Sequence, residues 1–297
     1  MVNSNPKLTI GLMVYNEADY LDKTFESIFS QYIDNYEILV GNNASTDGSS
    51  EIIDKWAKKY PEIVHIKRPF NIGALQNWND IIERARGEYF VLAGGHDLWS
   101  PTYLKSLIDY LDFNKRVVIA FAQTQWIDEC GNNLSIPTSL LDTSGMQPLA
   151  KFVSLMFAGQ HYLYGMMRLS AVKKTRRQLE VIGSGEIFLQ ELAQYGDFCL
   201  VEGERWYRRK NRIEISSLQT LKRYQTILFS NRFNRVRFKI FPHLQMMLLY
   251  LILPFHMKNV GIIQRLSMFV VSPLILRRFA TLLVLDVKWL STHGGKY

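Results

Sequence analysis

The sequence predicts an α/β domain, a mostly parallel sheet flanked by helices, followed by a basic and apolar helical extension. Three observations carry this. Short apolar runs alternate with stretches of helical periodicity from Leu8 onward, which is the pattern of right-handed βαβ units. Each run ends in a polar loop rich in Asn, Gly or Asp, so the strand ends gather where open α/β sheets bind ligands. The charge is also split. From Glu204 onward 17 lysines and arginines meet 3 acids, whereas before it 18 basic residues meet 24 acidic ones. We place the domain at residues 1–212 and the extension at 213–297.

Leu8 to Val14 reads as the opening strand, closed by Tyr15-Asn16-Glu17, and Leu21, Phe25, Ile28, Phe29 and Tyr32 recur at helical spacing. Glu37 to Val40 is a second strand, ending in Gly41-Asn42-Asn43-Ala44-Ser45-Thr46-Asp47-Gly48. Ile52, Ile53, Trp56 and Tyr60 face the next helix inward, and Ile63 to Ile66 is a third strand. Asn71-Ile72-Gly73 starts a helix that ends near Gly87. Further strands are expected at Val117 to Gln125 and Phe198 to Val201, with helices at Met146 to Ala158 and Gly183 to Gly196. There is no internal repeat or low-complexity linker, and no glycine-rich dinucleotide fingerprint or P-loop.

Hydrophobic residues make up 47% of the 297, and aromatics 13%, which marks a folded globular chain. Cys130 and Cys199 form no ligand cluster or disulfide framework, so a reducing compartment is expected. The first residues lack a basic stretch leading into an apolar core, so no secretory signal is read there. The expected location is cytoplasmic, with the extension as a peripheral membrane contact.

The chemistry centres on Gly87 to Pro101. Glu88 to Ala93 is an apolar strand, two glycines free the backbone, and His96 and Asp97 follow at once. Ser100-Pro101 then reads as an N-cap and first helical residue. A buried strand therefore ends in a tight loop presenting an imidazole and a carboxylate, both ligands for Mn²⁺ or Mg²⁺. The alternative is a polar turn with a satisfied His and a helix-capping Asp.

This segment resembles the metal-binding turn of family 2 glycosyltransferases, whose pattern is Gly-Glu-Tyr, an apolar run, Asp-Ala-Asp-Asp and a nearby Pro. Gly94, Gly95, His96 and Asp97 occupy those four places, so the first acid is missing and the third position is His. The resemblance spans residues 8 to 210. It implies a GT-A fold, a Rossmann-like sheet, and a nucleotide-sugar site. Tyr15 matches the aromatic residue that contacts the base, with Asn16 and Glu17 beside it. Asn42 and Asn43 stand where an acid usually reads the base; an amide can accept from uracil N3–H or donate to cytosine N3. Asn71, Gly73 and Asn77 match a segment near the donor. The structural alternatives are core packing for Tyr15, turn chemistry for the Asn pair, and capping and packing for Asn71 and Gly73.

Tyr164 to Arg168 resembles a strand of the acceptor half, where Arg168 anchors phosphate or, more simply, holds structure. Gly183-Ser184-Gly185-Glu186 opens the helix at whose start the family places its catalytic base. Counting back from Leu192, Ala193 and Gly196 puts the expected Asp at Gly185, so Glu186 is one residue out of register. Glu186 is our candidate base, with Glu191 the weaker one and helix-terminus complementation the structural alternative. Trp206-Tyr207-Arg208-Arg209 matches a further segment, in which a flexible pair of arginines covers the diphosphate; a solvated basic face is the alternative.

The resemblance implies inverting transfer of a sugar, UDP-linked in the first instance, to a hydroxyl of a saccharide or lipid-linked acceptor. Mn²⁺ or Mg²⁺ at His96 and Asp97 would neutralise the diphosphate. Two rivals stand beside it. One is a non-catalytic nucleotide-sugar binder with a degenerate site. The other is a nucleotidyltransferase, which would want a basic glycine-rich loop where Tyr15-Asn16-Glu17 stands. In the tail, Leu244 to Phe255 is too short to span a membrane, and Val260 to Val287 carries Arg265, Arg277, Arg278, Asp286 and Pro273. That composition fits binding in the plane of an anionic membrane, with Arg232, Arg235, Arg237 and Lys239 facing lipid, better than nucleic acid. Packing on the domain or a homodimer through these helices is the alternative.

Overall fold

The computed structural model describes residues 6–138, 140–210 and 242–293. The expected boundary at 212 and the four basic residues at 232–239 therefore lie outside the described residues. Four parallel strands begin the sheet: β1 (Leu8–Val14), β2 (Tyr36–Asn42), β3 (Ile63–Lys67) and β4 (Tyr89–Gly94). β5 (Leu98–Trp99), β6 (Val117–Ile127), β7 (Met166–Arg168) and β8 (Asp197–Arg209) complete the order β3-β2-β1-β4-β7-β6-β8-β5. β7 runs antiparallel between β4 and β6, β8 is parallel to β6, and β5 is antiparallel to β8.

Side-chain alternation sorts the core into two layers. Tyr89, Val91 and Ala93 of β4 face α1 (Ala18–Phe29), α2 (Ser49–Lys59) and α4 (Tyr103–Phe113). Phe90 and Leu92 face α3 (Ala74–Arg84) and α7 (Ser184–Leu192). Burying each such side chain contributes about 1.5–3 kcal/mol, so a one-residue slip in β4 would exchange the two layers. α5 (Pro148–Phe157) and the single turn α6 (Leu169–Val172) lie in the second half.

The extension forms α8 (Pro242–His256), α9 (Ile262–Val270) and α10 (Ser272–His293). Met246, Met247, Tyr250, Met268, Ile275 and Phe279 build a third core with Phe152 of α5 and Ile187 of α7. The apolar run from Val260 to Val287 is two helices bent by 43°, and no single described helix is long and apolar enough to cross a membrane. The last strand runs on to Arg209, so Arg208 and Arg209 are strand residues and not a flexible cover.

Candidate functional site

The loops after β1, β2 and β4 are stitched together at the carboxyl ends of their strands. Asn43 N–H donates to Val14 O (2.9 Å) and Gly95 N–H to Met13 O (3.2 Å). Asn16 adopts a left-handed φ of 56°, which Asn tolerates. Its backbone N–H donates to Ser45 Oγ, its side-chain oxygen accepts from Thr46 N–H, and Glu17 N–H donates to Ser49 Oγ. Asp47 accepts from Ala18 and Ser49, so it serves the turn and helix start. Burial would raise its pKa, but the hydrogen bonds from Ser49 and Ala18 outweigh this and hold the carboxyl below the usual range. Tyr15 stands out from this platform, 47% exposed, rather than packing in the core.

Asn42 and Asn43 are buried. Asn42 Oδ1 accepts from Ser45 N–H, and its amide nitrogen lies 3.4 Å from His65 Nε2. Asn43 donates to Asn71 Oδ1 (2.9 Å) and accepts from Ile72 N–H (2.9 Å); Asn71 Oδ1 also accepts from Gly73 N–H. The pair thus holds the loops together through its side-chain amides. Gly73 is needed for its φ of 84° before α3. Asn77 is likewise engaged within the fold. It is 1% exposed and its amide bonds to Gly41 O (2.8 Å) and Arg68, so it holds α3 to β2.

At the turn after β4, His96 Nδ1 pairs with Glu17 Oε1 (3.0 Å) and His96 Nε2 lies 3.6 Å from Asp97 Oδ1. Gly95 packs against Glu17, and a Cβ on Gly94 would come within 2.9 Å of Asp97 Oδ2. Glycine at the family's first acidic place therefore leaves room for Asp97 itself. Arg209 locks the turn from the opposite strand. Its Nε donates to His96 O (3.0 Å), its Nη1 to Asp128 O and Glu129 O (both 2.7 Å), and its backbone N–H to Asp97 Oδ1 (3.2 Å). At 3% exposure Arg209 serves as a clamp on this turn, the role its hydrogen bonds describe. Among the described residues no three His, Cys, Asp or Glu side chains form a metal cage. The donor set of His96 and Asp97 fits Mg²⁺ or Mn²⁺ that draws its other ligands from phosphate and water.

Arg208 projects from the opposite face of β8. Its guanidinium sits 4.6 Å over Trp126 and reaches His161 Nε2 at 3.4 Å. Burial, with the Arg208 charge, pulls the His161 pKa down to about 4, so the imidazole is neutral. Arg168 is structural, donating to Val117 O, Leu111 O and Asn114 O.

Glu186, at the start of α7, meets the extension. Its Oε2 accepts from Arg278 Nη2 (2.6 Å) and from Tyr250 OH (3.1 Å), and among the described residues Oε1 has no protein partner. The Glu186 charge, with Tyr250, raises the Arg278 pKa further against the opposing effect of burial. Glu191, the weaker candidate, is 4% exposed and bound by Arg176 through both backbone and side chain. Glu186 lines a cavity of about 320 Å³ that also touches Met13 and Leu92 at the ends of β1 and β4, Gln160, and His243 and Arg278 of the extension. Reading the sequence missed Tyr250, Arg278 and His243. They lie 57 to 92 residues beyond Glu186, inside apolar periodic runs whose pattern signals only packing.

Residues 9–172, just over half of the chain, match the family model for glycosyl transferase family 2. The chain belongs to that family. The uncharacterized protein Rv1520 of Mycobacterium tuberculosis is 32% identical to this family member over 127 residues, 42% of this chain and 37% of that protein. The chain thus spans well under half the length of that relative. The putative glycosyltransferase EpsE of Bacillus subtilis is 26% identical over 192 residues, 61% of this chain and 66% of its own length. Also similar is TuaG of the same organism, a putative teichuronic acid biosynthesis glycosyltransferase, at 27% over 37% of this chain and 44% of its own length. Among solved structures, S. aureus TarS 1-349 in complex with UDP superposes with a TM-score of 0.59 at 14% identity, covering 95% of this chain and 87% of that one. The mannosyltransferase PcManGT from Pyrobaculum calidifontis, in complex with GDP-Man and Mn²⁺, gives 0.55 at 13%, covering 94% and 76%. These likenesses establish the shared α/β GT-A fold.

Proposed function

We propose that this family 2 member is an inverting glycosyltransferase that moves a sugar from a nucleotide-sugar donor, UDP-linked in our reading, to a hydroxyl acceptor in polysaccharide or glycolipid synthesis. The observation that carries the reading is Glu186. Two groups anchor one of its carboxylate oxygens and leave the other for the cavity at the strand ends. Oε1 accepts the acceptor's proton as its oxygen attacks the anomeric carbon in line. Tyr15 stacks on the base, and Asn16, Glu17, Asn71, Gly73 and Gly95 shape the floor beneath the diphosphate. His96 and Asp97 would hold Mn²⁺ or Mg²⁺. When bound, such a cation neutralises charge on the leaving diphosphate. The nucleotides in the TarS and PcManGT structures, and the name of TuaG, support donor and polymer class.

Donor binding is tested by calorimetry with UDP and Mn²⁺. Binding should need the metal, and Asp97→Asn and His96→Ala should each weaken it roughly tenfold or more. A ligand at 100 times its Kd should also stabilise the fold by about 2.7 kcal/mol. Metal-independent binding, unchanged in both variants, overturns the assignment of the turn.

The extension supports a membrane-surface location. Ile262, Ile263 and Val270 of α9 are 63%, 79% and 74% exposed, with Leu266 and Phe269 beside them. Lys258 and Arg277 are exposed nearby, and the one acid in 242–287, Asp286, is fully buried. An apolar face fringed by cations without exposed acids suits anionic lipid. The protein should float with anionic vesicles at low salt, and Ile263→Asp with Leu266→Asp should abolish this. Flotation that survives both changes, or a dimer without vesicle binding, points to another use of the face.

A further inference from the structure

Glycine stands at 185, where the resemblance places an acid, and neighbouring side chains fill the space beside it. A Cβ on Gly185 would come within 2.7 Å of Gln160 Oε1 and 2.8 Å of Leu163 Cδ1. The acid comes one residue later, and successive residues of an α-helix are turned by about 100° around its axis. Glu186 therefore leaves α7 in another direction and meets the extension instead. A carboxylate displaced in this way needs its own support if it is to face the cavity.

That support comes from α8 and α10. Arg278 Nη2 donates to Glu186 Oε2 (2.6 Å), Tyr250 OH donates to the same oxygen (3.1 Å), and Arg278 Nη1 lies 3.4 Å from Tyr250 OH. The three groups close a ring of contacts on one carboxylate oxygen. Neither donor is loose. Tyr250 is fully buried, and burial pushes its phenol pKa up, so the hydroxyl keeps its proton. The Arg278 guanidinium lies 5.4 to 5.8 Å from the ring centres of Phe157, Tyr250 and Phe279, within reach of cation–π attraction.

The arrangement differs from a pair built only for stability. Glu191 has both carboxylate oxygens bound by Arg176. Glu186 has only Oε2 engaged, although Arg278 has five N–H donors to offer. No other acid of the extension competes for the guanidinium. Asp286, the one acid in 242–287, is fully buried and accepts from the backbone of His243 and Leu244.

We propose that Arg278, with Tyr250 behind it, is a positioning residue for sugar transfer: it holds Glu186 by Oε2 so that Oε1 meets the attacking hydroxyl. The extension is then a working part of the catalytic site as well as a surface for docking. The proposal rests on Glu186 as the base, and Arg278 acts through that carboxylate without touching a reacting atom.

The test is a double-mutant cycle in the full-length protein. Turnover is read as release of nucleoside diphosphate from whichever of UDP-glucose, UDP-galactose, UDP-GlcNAc and GDP-mannose wild type consumes fastest. Arg278→Met should lower kcat roughly 10–10²-fold, the cost of a misplaced reacting group, and leave the donor KM and UDP–Mn²⁺ binding unchanged. Arg278→Lys, which keeps a cation for Oε2, should recover most of the loss. In the Glu186→Gln background Arg278→Met should change the residual rate by less than about twofold, because no base remains to be aimed. Tyr250→Phe should show the same dependence on background at smaller size, and with Arg278→Lys it carries the cycle if Arg278→Met does not fold. Equal fold losses in both backgrounds, a wild-type kcat in Arg278→Met, or a loss confined to donor binding overturns the positioning role. A Glu186→Gln variant that turns over like wild type overturns the base assignment instead, and wild-type protein that consumes none of the donors overturns both.

Discussion

Glu186→Gln is expected to lower turnover by about 10²–10⁴-fold, the range that a general base supplies, while UDP–Mn²⁺ binding stays as in wild type. The amide keeps the volume and can still accept from Arg278 and Tyr250, so the extension should remain docked. What it loses is the capacity to take a proton at the second oxygen. Steady-state kinetics with the donor identified by calorimetry, beside a melting curve, separates these effects. Turnover within a few-fold of wild type would remove Glu186 as the base. Glu191 would not inherit the role, because Arg176 occupies it in a buried pair. Intact donor binding with no turnover even in wild type would favour the non-catalytic alternative that the missing acids at Gly94 and Gly185 suggest.

Arg209→Met should cost about 3 kcal/mol or more of stability and weaken donor binding at the same time. The substitution deletes three hydrogen bonds from a buried cation to the carbonyls of His96, Asp128 and Glu129. Hydrogen bonds to a charged group are worth about 1.5–3 kcal/mol each, less where the freed carbonyls can turn to water. For a protein of this size, roughly 2–4 °C of melting temperature should go with each kcal/mol. The His96 turn would then relax against β8, carrying Asp97 with it. Arg208→Met should leave melting nearly unchanged, since that guanidinium rests on the Trp126 ring in a half-buried position. If Arg209→Met weakens donor binding without touching stability, the arginine acts on the diphosphate as the sequence pattern suggested, and the clamp assignment fails.

The split behaviour of these two neighbours shows where reading a sequence stops. Local pattern determined a great deal here. Apolar runs of strand length between amphipathic stretches specify the β1–β4 half of the sheet, because burial on both faces leaves few other arrangements for them. The Gly-Gly-His-Asp turn, the exposed Tyr15 loop and the start of α7 were also legible, since glycine, capping and turn chemistry act within a few residues. The same sequence did not say which polar groups would remain available. Asn42, Asn43, Asn77 and Arg209 have the composition of ligand residues, yet partners 3 to 113 residues away engage them. Packing of the extension on the domain was legible only as an alternative to a membrane contact, and the residues it would bring to the site were not. Tyr250, Arg278 and His243 sit in helices whose periodicity reports burial but not the partner, and only the packing of α8 and α10 against α7 brings them beside Glu186. Local structure follows from the spacing of neighbours along the chain. Whether a polar atom is spent or free depends on which distant segment fills the space in front of it, and that is decided only when the tertiary fold closes.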